Sequence, residues 1–273
     1  MRRLLNIRPR GGVRIALGLL PLVGVLLIYM LASEARHFAN PADKVLPTFG
    51  EMADAVNRMA FQADVTTGRI PLWADSWASL SRLWLALLIS TLSALLFGLA
   101  LGLLPAMRAT LGPLVAVIAV IPPIAILPIL FIALGLGETA KIALIVIGIT
   151  PFMIRDLSAH VAAIPEEQLI KAQTLGASTW QIALRVALPQ AMPRLIDNLR
   201  LSLGPAWVFL ISAEAIASDV GLGYRIFLVR RYLAMDVILP YVAWISLLAI
   251  VHDIILSQIS RRSFAWAHPK GAA

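Results

Sequence analysis

The chain has 273 residues, of which 60% are apolar and 14% are charged, and its mean hydropathy of +0.86 is too high for a soluble globular protein. The absence of cysteine excludes disulfides, thiolate metal sites and cysteine nucleophiles. The net charge of +8 comes from basic clusters beside apolar runs, which is typical of the positive-inside rule and argues against nucleic-acid binding.

Apolar runs long enough to cross a bilayer predict an all-α membrane protein with about six transmembrane helices. An even number of spans puts both termini on one side, and the arginines before the first span mark that side as cytoplasmic. A cleaved signal peptide is the alternative for the first run, but its length and the spans that follow favour an uncleaved helix. The expected spans are residues 13–32, 83–105, 111–134, 141–159, 199–218 and 237–259.

These spans divide the chain into three parts. Residues 1–82 contain the N-terminal tail, the first transmembrane helix and an extracytoplasmic segment, residues 83–265 form the transmembrane core, and residues 266–273 form a cytoplasmic tail. In the extracytoplasmic segment, Thr48 as N-cap and Glu51 three residues later form a capping box. The capping box predicts a short amphipathic helix, which we expect to lie on the membrane surface.

Two patterns within the core predict how its helices pack. Small residues recur every four positions in the second span, which is typical of close helix packing within one subunit. The stripe consists of Ser90, Ala94, Gly98 and Gly102. The third span carries Pro122, Pro123 and Pro128, which remove backbone donors and predict kinks. The kinks serve either packing or a bend around a translocation path, since interrupted helices recur near transporter sites.

The sequence carries no signature of an enzyme. It has no phosphate-binding GxxxxGK[ST] loop, so any ATP that drives this protein is hydrolysed by another subunit. The four histidines are scattered, and neither an HExxH helix nor a GxSxG elbow is present. We therefore expect a transport subunit with no catalytic residue and with no cofactor or metal bound by this chain.

Two acidic residues, Glu214 and Asp253, fall within apolar spans. A charge in lipid is costly, so each should face protein or water and have a partner. Both are explained either by a structural hydrogen bond to a neighbouring helix or, for Glu214, by a place on the substrate path. Ser212 and Pro123 are the other candidates for that path.

Between the fourth and fifth spans, residues 164–193 are half polar and contain several helix signals. A proline followed by two glutamates predicts the start of one helix, and Gly176 predicts its end. Ser178, with glutamine three residues later, predicts the start of a second helix, which Pro189 ends. Two short cytoplasmic helices of this kind either lie on the lipid surface or dock onto a partner protein.

The same segment resembles the cytoplasmic coupling loop, or EAA loop, of ATP-binding-cassette importer permeases. That pattern is EAA, three residues, Gly, nine residues and Ile-x-Leu-Pro; here Gly176 is followed by nine residues and then by VALP. The leading triplet departs from the pattern, because Ile170, Lys171 and Ala172 occupy its positions. The segments "LRLSLGPAWVFLISAEAIASDVGLGYRI" and "IPPIAILPILFIALGLGETAKI" are similar to those of permeases for nitrate, sulfonate, taurine and bicarbonate, so the resemblance covers residues 80–265.

This resemblance implies the permease of a type I importer in the bacterial inner membrane. Two permease copies, expected here as a homodimer, would work by alternating access with two cytoplasmic ATPase subunits and an extracytoplasmic solute-binding protein. ATP and Mg would be used by the ATPase. The residues implied to contact it are Thr174, Leu175, Gly176, Ala177, Ser178, Trp180 and Gln181.

The implied solute is a small polar molecule of the nitrate, sulfonate, taurine and bicarbonate class. One alternative is the same machinery importing a small nitrogen compound such as guanidinium or urea. An anion path would favour basic residues near the outer end (Arg225, Arg230 and Arg231), whereas a cation path would favour Glu214. A different class, a secondary transporter driven by an ion gradient, would use Glu214 and Asp253 as proton carriers.

Overall fold

The computed structural model describes residues 11–40, 43–65 and 67–267, and this part of the chain is almost entirely helical. The N-terminal basic cluster and most of the expected C-terminal tail lie outside the described residues. The α-helices are α1 (Gly11–Ala39), α2 (Phe49–Phe61), α3 (Pro71–Leu103), α4 (Pro105–Ile118), α5 (Leu127–Leu134), α6 (Glu138–Ala162), α7 (Glu166–Thr174), α8 (Thr179–Ile182), α9 (Leu188–Ile216), α10 (Leu222–Arg230) and α11 (Met235–Ser263). Short 3₁₀ helices cover Pro123–Ile126 and Ala265–Ala267, and a π-helix covers Ala183–Ala187.

The described residues confirm the prediction of about six membrane spans. Five helical segments are long and apolar enough to cross a bilayer, and the count is six if α4 and the segment Pro123–Leu134, which meet at a bend of 82°, are taken together as one broken span. The break falls at the proline pair predicted to kink this span, where the missing backbone donors interrupt the helix. The short 3₁₀ helix after the break packs against α6 and α9.

The second span begins at Pro71, not at residue 83 as the sequence predicted. The prediction was wrong because Asp75 and Arg82 interrupt the apolar run, although both side chains are buried and paired with other parts of the chain. With 33 residues, α3 is about 50 Å long at 1.5 Å per residue and exceeds the hydrocarbon core of roughly 30 Å. The helix is therefore longer than one crossing of the bilayer requires.

The fifth span also differs from the prediction, because Pro189 does not end a helix. A continuous helical segment of 38 residues runs from Thr179 to Ile216, and Pro189 lies in the first turn of α9. Proline is tolerated in a first turn, and the wider turn of the preceding π-helix relieves the clash between its ring and the carbonyl of residue 185. The second coupling helix and the fifth span are therefore one element.

The small-residue stripe of α3 packs against α6 within the subunit, as the sequence predicted. All four residues of the stripe are buried. A Cβ added at Gly98 would lie 2.9 Å from Cβ of Leu157, and one added at Gly102 would lie 2.5 Å from Cβ of Val161. The absence of side chains at these two glycines allows the helices to approach this closely.

The segment between the first two spans, which the sequence predicts to be extracytoplasmic, is ordered by local hydrogen bonds. The capping box of Thr48 and Glu51 is present at the start of α2, as predicted. The helix was expected to lie on the membrane surface; in the structure α2 packs against α3 and α11. Trp73 Nε1 of α3 donates to the Ala60 carbonyl of α2 at 3.0 Å. Near the end of α1, the Arg36 guanidinium hydrogen-bonds the Asp43 carboxylate at 2.5 Å and lowers the pKa of Asp43 to about 2.

We expect that Gly102→Ala lowers the unfolding temperature of the detergent-solubilised protein by several degrees. The added Cβ would meet Val161 at 2.5 Å, and such overpacking costs about 1–3 kcal/mol. Gly204→Ala is the matched control in a helix, because a Cβ there meets nothing within 4 Å and alanine is the better helix former. Differential scanning fluorimetry in which Gly102→Ala is as stable as Gly204→Ala would contradict this packing.

Candidate functional site

Residues 164–193, the segment that resembles a coupling loop, contain two helices, α7 and α8, joined at Gly176. Its φ of +82° is a conformation that glycine adopts at little cost. The Gly176 N–H donates to the Gln173 carbonyl at 2.9 Å, and the Ala177 N–H donates to the Ala172 carbonyl at 3.0 Å. These two bonds form a Schellman motif that ends α7. The predicted helix end at Gly176 is therefore confirmed.

The second helix of the segment starts at the predicted capping box. The Ser178 N–H donates to Gln181 Oε1 at 2.8 Å, and the Gln181 N–H donates to Ser178 Oγ at 3.3 Å. This reciprocal pair satisfies backbone donors that a helix start leaves free. The chain is thus held in one conformation on both sides of Ala177 by its own residues.

The segment is also attached to the two neighbouring spans. Gln190, in the first turn of α9, donates from Nε2 to Gln168 Oε1 of α7 at 3.2 Å. Its carbonyl oxygen lies 3.3 Å from His160 Nε2 at the end of α6. A displacement of α7 would therefore strain its hydrogen bond to Gln190 of α9 and, through Gln190, the contact with His160 of α6.

Large apolar side chains of this segment are exposed. Leu175 is 82% exposed and Trp180 is 71% exposed, an unusual arrangement for a loop that only connects two spans. Trp180 also lines an apolar groove of about 340 Å³ together with leucines on the C-terminal half of α3. Of the seven residues predicted to contact an ATPase, only Ala177 is half-buried; the others are exposed.

At the opposite end of the bundle, the Glu214 carboxylate is completely buried. Arg82 Nη1 donates to it at 2.6 Å, Ser79 Oγ at 2.8 Å, and the backbone N–H of Gly223 at 2.9 Å. Arg82 also pairs with Glu138 at the start of α6, where its Nη2 donates to Oε1 at 2.8 Å. One guanidinium therefore joins α3, α6 and α9.

A second buried acid extends this network along α3. Asp75 accepts hydrogen bonds from the Gly221 N–H at 3.0 Å, from Arg225 Nε at 2.8 Å and from the Tyr241 hydroxyl at 3.2 Å. Lys141 donates to Glu138 at 2.9 Å. We name the set the outer charge network, after the side on which the topology predicted from the sequence places it; it consists of Asp75, Ser79, Arg82, Glu138, Lys141, Glu214, Arg225 and Tyr241.

The sequence prediction missed the α3 side of this network, because it placed residues 33–81 outside the second span. A signal was present, since Asp75, Ser79 and Arg82 follow one another at four-residue and three-residue spacing. This spacing puts them on one helix face. That face continues into the buried stripe that begins at Ser90.

The three residues predicted for a substrate path have different surroundings. Glu214 is enclosed by the network, Ser212 is half-buried and donates to the Val208 carbonyl at 2.7 Å, and Pro123 begins the 3₁₀ helix after the break. Asp253 is paired with Arg200 of α9 at 2.8 Å. The structural hydrogen bonds considered for Glu214 and Asp253 are thus present, and the path assignment stays a prediction.

The structure is thus that of a helical protein with several candidate membrane spans and an ordered pair of short helices between two of them. A family model described as binding-protein-dependent transport system inner membrane component matches residues 92–264. The chain belongs to this family. It is the permease component of a binding-protein-dependent ABC importer, located in the inner membrane.

Individual relatives agree with this assignment. The taurine transport system permease protein TauC of Escherichia coli (strain K12) is 37% identical over 195 residues, which cover 71% of each chain. The bicarbonate transport system permease protein CmpB of Synechococcus elongatus is 29% identical and covers 89% of this chain and 88% of its own length. The nitrate import permease protein NrtB of Leptolyngbya laminosa is 30% identical over 150 residues, or 55% of this chain and 53% of that one.

A solved structure shows the same fold. A chain of the MetNI methionine ABC transporter, in an inward-facing conformation, superimposes with a TM-score of 0.63 at 21% identity. The match covers 70% of this chain and 95% of that one. The helical arrangement described above is therefore that of an ABC importer permease.

We expect that Arg82→Gln destabilises the protein by about 3–5 kcal/mol, because it leaves a buried carboxylate without its partner. The double variant Arg82→Gln/Glu214→Gln should recover part of that loss, since both charges are then gone. Arg58→Gln is the control: Arg58 is half exposed in its pair with Asp236, and such pairs contribute about 0–1 kcal/mol. Thermal unfolding curves in which Arg82→Gln matches Arg58→Gln would refute a structural role for the network.

Proposed function

We propose that this chain forms half of the translocation path of an ATP-driven importer, with its coupling loop bound to an ATPase subunit on the cytoplasmic side. The observation that carries this proposal is the continuous helical segment from Thr179 to Ile216. Two capping motifs fix the conformation of the loop, and the loop is continuous with a transmembrane helix. A force that the ATPase applies to the loop can therefore tilt that helix. An ordinary connecting loop would dissipate the force.

The partner supplies the energy. The chain has no phosphate-binding loop, so two cytoplasmic ATPase subunits would bind ATP and Mg and close upon each other. Two permease copies, arranged as a homodimer, would enclose the path, and an extracytoplasmic solute-binding protein would deliver the solute. With both termini cytoplasmic, the coupling loop faces the ATPase and the outer charge network faces the binding protein.

We further propose a small sulfonate or a related oxyanion as the solute. The support comes from relatives whose names refer to taurine, aliphatic sulfonates, nitrate and bicarbonate. A guanidinium or urea path would rely on Glu214 as a cation site. The pairing of Glu214 with Arg82 leaves that carboxylate without a free charge, which favours the anion.

Leu175→Glu should uncouple the assembled complex. Leu175 is 82% exposed, so the fold should tolerate the change, whereas an apolar contact buried against the ATPase would be lost. Loss of a central interface contact of about 2 kcal/mol or more predicts at least a tenfold fall in solute-stimulated ATP hydrolysis and in uptake. Leu175→Met keeps the apolar contact and serves as control. Wild-type coupling in Leu175→Glu would show that this face of the loop does not dock.

The solute is identified most directly through the partner binding protein. We expect taurine or another sulfonate to raise its unfolding temperature, in a thermal-shift panel that also contains nitrate, bicarbonate, guanidinium and urea. Uptake of the selected solute into proteoliposomes should then require ATP and the binding protein. Stabilisation by guanidinium alone would reassign the solute, and uptake driven by a proton gradient without ATP would overturn the importer mechanism.

A further inference from the structure

An open cavity of about 450 Å³ with a mixed polar and apolar lining lies between α4 and α6. It is near the N-terminal end of α4, after the α3–α4 turn, and the C-terminal end of α6, which leads into the segment 164–193. Its walls include Leu101, Val115 and Phe152, and two arginines, Arg108 and Arg155, line it. Arg108 is the fourth residue of α4, and Arg155 lies seven residues before the end of α6. Both positions are within about 11 Å of the helix ends at 1.5 Å per residue.

The position of Arg108 is fixed by the end of α3. Its Nε donates to the Leu101 carbonyl at 2.9 Å, and its Nη2 donates to the Gly102 carbonyl. These carbonyls belong to the last turn of α3, where the helix dipole favours a positive charge. Nη1 is not used in these bonds, so the guanidinium keeps hydrogen-bonding capacity toward the cavity.

Arg155 has no such partner. It is exposed, and across the described ranges 11–40, 43–65 and 67–267 no hydrogen bond or ion pair involves its guanidinium. The one acidic residue lining the cavity is Asp156, and Arg194 occupies both of its carboxylate oxygens at 2.6 Å. The cavity therefore contains two guanidinium groups whose charge no carboxylate lining it neutralises.

We propose that Arg108 and Arg155 form an oxyanion-binding site at the cytoplasmic side of this permease. A guanidinium presents several N–H donors in one plane and binds sulfonate, phosphate or carboxylate groups through paired hydrogen bonds. An uncompensated arginine pair at the edge of the membrane marks either an ion pathway or contact with an anionic headgroup. The oxyanion comes either from a solute in transit or from the phosphate of an inner-leaflet lipid. The first source rests on the proposed oxyanion solute, whereas the lipid source is independent of the solute.

The test uses the full chain, assembled with its ATPase, in nanodiscs of zwitterionic phosphatidylcholine. Sodium ethanesulfonate and inorganic phosphate are the two soluble probes, titrated by isothermal calorimetry. We expect saturable binding of at least one probe, weakened at least about tenfold in Arg155→Gln because a charged hydrogen bond is lost. Arg155→Lys should bind with intermediate affinity, since lysine keeps the charge without the planar fork.

Arg262→Gln is the matched control, because Arg262 is also an exposed arginine near the inner end of a span. Its substitution should leave probe binding unchanged. A parallel preparation in phosphatidylglycerol nanodiscs, analysed by native mass spectrometry, identifies the source of the oxyanion. Soluble probe binding that phosphatidylglycerol does not displace assigns the site to a free oxyanion. Retention of phosphatidylglycerol that falls in Arg155→Gln but not in Arg262→Gln assigns it to a lipid phosphate.

The proposal is overturned if neither probe binds saturably and lipid retention is equal in the two variants. It is also overturned if Arg155→Gln binds both the probes and the lipid as the wild type does. These readouts measure binding to the permease and not uptake. Failure of the importer mechanism would therefore leave them unchanged, and the two hypotheses can fail separately.

Discussion

The Glu214 carboxylate has no exposed surface, and the outer end of the helical bundle depends on compensating this buried charge. Moving an ionised carboxylate out of water costs several kcal/mol even after the protein relaxes. The compensation comes from Arg82 and Ser79, which lie 132 and 135 residues away in sequence. Arg82 in turn binds Glu138 of a third helix. Any rearrangement that separated α3, α6 and α9 at this level would expose an unpaired charge to the protein interior.

The need to enclose the Glu214 carboxylate also determines the residue at the turn after α9, Gly221. Gly221 has a φ of +141°, and a Cβ there would lie 2.6 Å from the carboxyl carbon of Glu214. Only glycine combines this backbone conformation with such a close approach. The Gly221 N–H donates to Asp75 of α3. The turn is therefore attached to α3 and also packs against the Glu214 carboxyl group.

Local features were predictable from the sequence, whereas long-range pairing was not. The capping boxes at Thr48 and Ser178 and the helix end at Gly176 depend on residues within five positions of one another, and all three are present. Hydropathy located the spans but misplaced the start of α3, because it treats a charge such as Asp75 as solvent-exposed even where a distant partner neutralises it. The continuation through Pro189 was missed for a related reason: the rule that proline ends a helix omits the π turn that accommodates it.

The two ends of the fifth span are held in opposite ways, and this asymmetry favours transmission over bending. Its N-terminal end, at Ser178, is fixed by exposed capping bonds and carries the exposed Trp180, so in the proposed mechanism it moves as a unit with the bound partner. Its other end, at Glu214, is bound to α3 through the buried Arg82 guanidinium and Ser79, and Arg82 connects it further to Glu138 of α6; a buried ion pair is costly to break. A force applied at Thr179 therefore cannot be absorbed by sliding α9 alone. In the proposed mechanism the displacement is shared with α3, and with α6 through Arg82, so that the helical bundle responds as a unit.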